Sequence, residues 1–169
     1  MDVLWQELTA GLADFGQVER VLLRIITATL LGAAVGFERE RAGKPAGLRT
    51  HILVCLGTAI VVLTCAGSRM DLDGLSRVIQ GIVTGIGFIG AGSILKLDEE
   101  RDIQGLTTAA GLWMTAAIGI AVGLGTLGLA LIGTGMTLIV LWVLRVMEAR
   151  ALAREKDKDK DKDNDKKKS

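Results

Sequence analysis

The chain has 169 residues, half of them hydrophobic, with 22 Gly, one Pro, no Tyr and a formal net charge of +1. The charges crowd into the first twenty residues, a few short segments and the tail, and long intervals carry none. A soluble domain would scatter polar residues along every amphipathic helix, so this pattern excludes an ordinary soluble enzyme. Frequent Gly within apolar segments suits membrane helices, whose backbones approach closely at small residues.

Residues Val3 to Phe15 place Leu4, Leu8, Leu12 and Phe15 at helical spacing, with Gln6, Glu7 and Asp14 between them. The segment is too short and polar to span, and residues 1–19 are expected to form a short interfacial helix. These residues contain no Lys or Arg, unlike the basic start of a secretory signal.

The first span is predicted from Val21 to Phe37. Arg24 lies inside it, one turn from Arg20, and either snorkels to the headgroups or meets a buried partner. The second apolar run covers His51 to Ala66 and the third Val78 to Leu97. Each approaches the roughly 20 residues that cross a bilayer. Cys55 and Cys65, both in the second run, read as small core residues; ten helical positions hold them about 15 Å apart.

Leu106 to Leu144 contains no charge. One helix of that length would measure about 58 Å, too long for a single crossing, so a break is predicted at Gly123-Leu124-Gly125-Thr126. The expected architecture is all-α: a polytopic membrane protein of five transmembrane helices over residues 20–148, preceded by the interfacial helix. Residues 149–169, a run of Lys and Asp, are expected to form a disordered charged tail.

Five spans place Arg20, Arg69 and Arg77 on one side. Arg39, Arg41, Lys44, Arg49, Lys96, Arg101, Arg145 and the tail lysines fall on the other. Lys and Arg favour the cytoplasm, so the N-terminus is expected outside and the C-terminus inside.

The first cytoplasmic loop holds the main polar candidates. Glu38, Arg39, Glu40 and Arg41 end span one; Arg49, Thr50 and His51 begin span two. Antiparallel packing would bring them to one membrane depth, either as an interfacial salt-bridge cluster or as a polar site. Glu38 and Glu40 are the weak metal candidates, through carboxylate oxygens suited to a hard cation. Asp98, Glu99, Glu100 and Asp102 in the next loop read as solvated, being offset by Lys96 and Arg101. Gly85-Ile86-Gly87-Phe88-Ile89-Gly90 matches a dinucleotide fingerprint without its strand–turn–helix context. Gly81, Gly85, Gly87, Gly90 and Gly92 instead read as a helix-packing stripe. No nucleophile–base pair is visible, and nothing suggests nucleic-acid binding.

Three blocks carry a family resemblance. Gly36-x-Glu38-Arg39-Glu40 followed by Ala46-Gly47-Leu48-Arg49-Thr50-His51 is the first, and Gly85 to Gly92 the second. The third is Gly105-Leu106-Thr107-Thr108-Ala109-Ala110 with Leu112-Trp113 and Thr115 to Gly119. Together, from about Arg20 to Arg145, they resemble the MgtC/SapB family. The resemblance implies a five-span bacterial inner-membrane protein tied to magnesium, and Thr107, Thr108 and Trp113 as fourth-span motif residues. It implies a regulatory or accessory protein in magnesium or acid-stress homeostasis, with a membrane partner such as a P-type ATPase or ATP synthase. The alternative is a magnesium or other cation transporter, as a homo-oligomer. Mg2+ is the one ion implied, and no other cofactor. Longer members add an ACT-like C-terminal domain; this chain carries the charged tail there, as a short form would.

Overall fold

The computed structural model describes residues 15–67, 70–96 and 103–168. Five helices make up the described fold: α1 (Phe15–Arg41), α2 (Leu48–Gly67), α3 (Leu72–Gly92), α4 (Leu106–Gly123) and α5 (Leu127–Lys168). A two-residue antiparallel ladder, β1 (Leu95–Lys96) with β2 (Ile103–Gln104), joins α3 to α4. Each helix contains a stretch long and apolar enough to cross a membrane, the last over Leu127–Met147. Large apolar side chains cover the outside, among them Leu30, Leu53, Phe88, Leu129, Ile132 and Trp142. In water that surface would be untenable; against lipid tails it is expected.

The span count holds, and the boundaries move. α1 begins at Phe15, so positions 15–19 of the expected interfacial helix belong to the first span's helix. The rest of that expectation lies outside the described residues, as do Arg69, Arg101 and the four loop carboxylates. α3 begins six residues before Val78 because Asp71 caps it, its side chain accepting from the Gly74 N–H at 2.8 Å. It ends at Gly92 instead of Leu97, giving way to the ladder. The backbone of α5 continues as helix to Lys168, through the tail expected to be disordered.

Two turns follow from local chemistry. Past α1, Gly43 adopts φ +67°; its N–H donates to Glu40 O and the Lys44 N–H to Arg39 O, at 3.0 and 3.1 Å. Past α4, Gly125 adopts φ +83°; its N–H donates to Val122 O and the Thr126 N–H to Ala121 O, at 2.9 and 3.0 Å. Both are Schellman closures, which need a left-handed residue that glycine supplies cheaply. The second is the predicted break between the last two spans. It also answers the Arg24 question: Nη1 donates to Gly123 O at 2.9 Å. Arg24 therefore finds a partly buried partner, a cation on the carbonyl end of α4, where the helix dipole favours it.

The core belongs to α4. In its most apolar stretch 56% of residues are buried, against 11% in α3 and 22% in each of α1, α2 and α5. Gly111, Thr115, Gly119 and Gly123 recur every four residues on its buried face. A Cβ at Gly119 would overlap Thr58 Oγ1 and the Cys55 carbonyl oxygen. One at Gly123 would stand 2.7 Å from Val62 Cβ and 2.9 Å from Ala59 O. α1 meets α2 in the same way: Cβ atoms at Gly32 and Gly36 would come within 2.8 Å of His51 O and Leu48 Cα. These glycines let helices touch at backbone distance, which drives packing where no hydrophobic effect operates between helices.

This corrects the expected packing stripe on the third span. Among the described residues, Gly90 alone of that set meets a neighbour, with its Cβ position 3.4 Å from Ala109 Cβ; beside Gly81, Gly85, Gly87 and Gly92 they leave open space. α3 leans chiefly on α4 and presents most of its glycines outward.

Candidate functional site

The polar residues of the first loop meet at the end of the bundle where α1 and α5's apolar stretch finish and α2 and α4 begin. The helix periodicity of α1 separates them. Glu38 and Arg39 turn inward, and Arg39 is only 3% exposed. Arg39 Nη1 lies 3.7 Å from Glu38 Oε2, an ion pair beyond hydrogen-bond reach. Glu40, two residues on, faces away and is exposed. Its Oε2 accepts the Leu48 N–H at 2.8 Å, so it tethers the first turn of α2. A carboxylate at a helix N-terminus is favoured there by the dipole. Gly47 leaves room for it: a Cβ there would stand 2.9 Å from that oxygen.

His51 is fully buried, one turn into α2. Its Nδ1–H donates to Gly47 O at 3.0 Å, which leaves Nε2 as the acceptor of the neutral ring. Nε2 is buried without a hydrogen-bond partner among the described residues. It faces α4, where a Cβ at Gly111 would stand 3.6 Å from it. An unsatisfied buried acceptor costs about 1–3 kcal/mol, so His51 is not a neutral piece of packing.

Arg49 and Thr50 go elsewhere. Arg49 is exposed, and both line a wide apolar groove between α2 and α3, with Gly57, Gly85 and Ile89. Of the six loop candidates, the fold thus gathers Glu38, Arg39 and His51 near α4, uses Glu40 as a tether and sends Arg49 and Thr50 to the lipid-facing groove. The two weak metal candidates, Glu38 and Glu40, thus lie on different sides of α1. Among the described residues no group of three His, Cys, Asp or Glu is placed to hold a metal ion.

The fourth-span motif also divides. Thr107, in the first turn of α4, lines a polar cavity with Glu38 and Arg39. Thr108 is buried. Trp113 is half exposed and lines a small apolar pocket with Ile82 and Val83 of α3.

The sequence reading named Arg41 without giving it a role in the site, and missed two contributors to that cavity, Lys44 and Arg145. A signal for Arg145 was present, since it is the first charge after the long uncharged interval and must emerge at the same membrane depth as Arg39. For Arg41 and Lys44 nothing in the spacing distinguished them from solvated loop cations. The Schellman closure that turns Lys44 back over the helix end makes that distinction.

Deeper in the bundle the buried polar groups are satisfied threonines. Thr115, Thr134 and Thr137 donate to the carbonyls of Gly111, Ala130 and Gly133 at 2.8, 2.8 and 2.7 Å. Thr58 donates to Val54 O at 2.8 Å. Back-bonding of this kind hides a hydroxyl from lipid.

Five apolar helices, buried polar groups at the membrane ends and backbone-close packing at small residues define a polytopic all-α membrane protein. The MgtC family profile matches residues 25–150, and the chain belongs to that family. It is 43% identical over 129 residues to "Protein SrpB" of Synechococcus elongatus, covering 70% of this chain and 71% of the relative. It is 41% identical over 138 residues to "Putative magnesium transporter YhiD" of Escherichia coli K12, covering 78% and 63%. With "Protein MgtC" of Salmonella typhimurium it shares 43% identity over 113 residues, covering 67% and 47%. The chain therefore spans under two thirds of the latter two relatives. No solved structure matches it.

Proposed function

We propose that the chain is a regulatory or accessory protein of the bacterial inner membrane, acting through membrane partners in magnesium or acid-stress homeostasis. The filled interior carries this reading. α4 occupies the middle, touching α2 at backbone distance through Gly119 and Gly123. Between Arg24 at one end and Glu38, Arg39 and His51 at the other, the inward polar groups described are threonines already bonded to backbone. A magnesium ion sheds its waters reluctantly and needs oxygen ligands in near-octahedral array. Among the described residues, the polar cavity at the inner end offers it four cations and one carboxylate. That environment repels a divalent cation.

The N-terminus lies outside and the tail in the cytoplasm in this reading. Arg39, Arg41, Lys44 and Arg145 emerge at one end of the bundle, which agrees with the cytoplasmic bias of Lys and Arg.

Affinity purification in mild detergent tests the proposal. A P-type ATPase or ATP synthase should co-purify in near-stoichiometric amount, and recovery of the chain alone overturns it. One observation favours the second reading, a magnesium or other cation transporter. The open glycine face of α3 would let a second copy close against it, and a pore could then form between copies. Its test is magnesium flux into proteoliposomes, with Glu38→Gln as the variant. Absence of flux eliminates it.

A further inference from the structure

Among the described residues that line it, the cavity at the inner end carries an excess of positive charge. It measures about 140 Å3 and is lined by Arg39, Arg41, Lys44 and Arg145, with Glu38 and Thr107. Four cations against one carboxylate give these described residues a formal +3 around one small space. Glu38 pairs with Arg39 at 3.7 Å, so its charge is already directed at one of the four.

Helix α4 adds to this field. Thr107 sits in its first turn, and its N-cap, Gly105, makes no side-chain capping bond. Thr107 therefore brings the positive end of the helix dipole to the edge of the cavity. Helix N-termini of this kind favour anions.

The depth of the cavity narrows the ligand. Arg145 closes the apolar run of α5, and Arg41 and Lys44 follow the apolar run of α1, so the cavity lies at the headgroup level. Leu141 and Leu144 form its membrane side. Leu144 and Phe37 are exposed toward lipid, and the Arg41 guanidinium lies 5.6 Å from the Phe37 ring centroid. A cationic pocket thus opens beside apolar side chains suited to an acyl chain. Basic pockets between helices on the cytoplasmic side suit phosphorylated lipid headgroups.

We propose that this cavity binds a phosphate group, the chemistry shared by an anionic phospholipid headgroup and free phosphate. Guanidinium groups from two helices engage the phosphate oxygens, Lys44 adds a point charge, and the Thr107 hydroxyl and first-turn N–H groups of α4 donate from the opposite wall. Phosphate bridges the ends of α1, α4 and α5, so its occupancy couples three helices that otherwise repel one another at this point. The assignment is independent of whether the chain regulates or transports.

The experiment uses the full chain purified in a neutral detergent. Its thermal unfolding is followed while phosphatidylglycerol, phosphatidylcholine or inorganic phosphate is titrated in, and retained lipid is counted by native mass spectrometry. Phosphatidylglycerol is expected to raise the unfolding temperature and to stay bound, while phosphatidylcholine does neither. Protection by phosphatidylglycerol alone identifies the headgroup as the source; equal protection by inorganic phosphate identifies the free ion. Lys44→Gln and Arg145→Gln, both on accessible side chains, should each weaken apparent affinity roughly fivefold, the size expected for one cation at a membrane surface. Arg49→Gln removes a cation at the same depth outside the cavity and should leave affinity unchanged. No shift with either probe, or the same loss in Arg49→Gln as in Arg145→Gln, overturns the proposal.

Discussion

Helices α3 and α4 are both rich in glycine, both close to the length of a membrane span, and they meet opposite fates. Among the described residues, open space lies beside Gly81, Gly85, Gly87 and Gly92 of α3, whereas the buried Gly119 and Gly123 of α4 lie against α2. The difference is one of partner as well as spacing. On α4, Gly111, Thr115, Gly119 and Gly123 keep an interval of four and form one inclined ridge on the buried face. On α3 the glycines at 85, 87, 90 and 92 spread around the cylinder. Glycine content marks a helix that can be approached closely; Gly81 and Gly85 keep the same interval of four and stay open, so it takes a partner helix on that face to use it.

The strongest way to break the comparison is Gly119→Ala. The new methyl overlaps Thr58 Oγ1 and the Cys55 carbonyl oxygen, and the backbone oxygen cannot swing aside. A loss of about 3 kcal/mol in reversible unfolding from detergent is expected, at the upper end for an overpacked site. A change under about 0.5 kcal/mol, the level of a surface substitution, would mean that the α2–α4 seam is loose.

Next in size is Arg24→Met. It keeps an apolar stem in α1 and removes the bond to Gly123 O, which ties the end of α4 to another helix. Hydrogen bonds from charged groups contribute about 1.5–3 kcal/mol, and a loss of about 2 kcal/mol is expected. Hydrogen exchange should quicken at the α4–α5 turn first.

Helix α3 has its end tied locally. Asp71→Ala removes the cap on Gly74 and should cost about 1 kcal/mol, with fraying confined to the first turn of α3. If instead the α4 core opens, α3 is more deeply integrated than its exposure suggests.

The smallest effect is expected at Gly85→Ala. Apart from its chain neighbours and its own helix backbone, no described heavy atom lies within 4 Å of the added methyl. Stability should stay within about 0.5 kcal/mol or rise slightly, since Ala favours helix over Gly. A marked loss, particularly one that rises with dilution, would show that a second copy covers this face.

Much of the fold was legible in the sequence because the bilayer imposes its own ruler. Three apolar runs, and a charge-free interval too long for one helix, required five spans and the break that Gly123 to Thr126 provides. The site was only partly legible. Proximity in sequence suggested that Glu38, Arg39, Glu40, Arg49, Thr50 and His51 act together. Helical rotation instead turned Glu40 to the α2 N-terminus and Arg49 to a lipid-facing groove. The Gly32/Gly36 pair and the four-residue interval on α4 were readable signals, overshadowed by the denser glycines of the third span.

The sequence by itself determined the number of spans, their order and which charges share a membrane side, because hydrophobic length and charge act locally along the chain. Only the tertiary structure decided which helix lies in the middle, where the carbonyl end of α4 finds Arg24, and that Arg39, Arg41, Lys44 and Arg145 face one cavity. Those outcomes depend on rotation about each helix axis. Rotation is set by backbone-distance contacts between helices, a property of pairs that no single segment encodes.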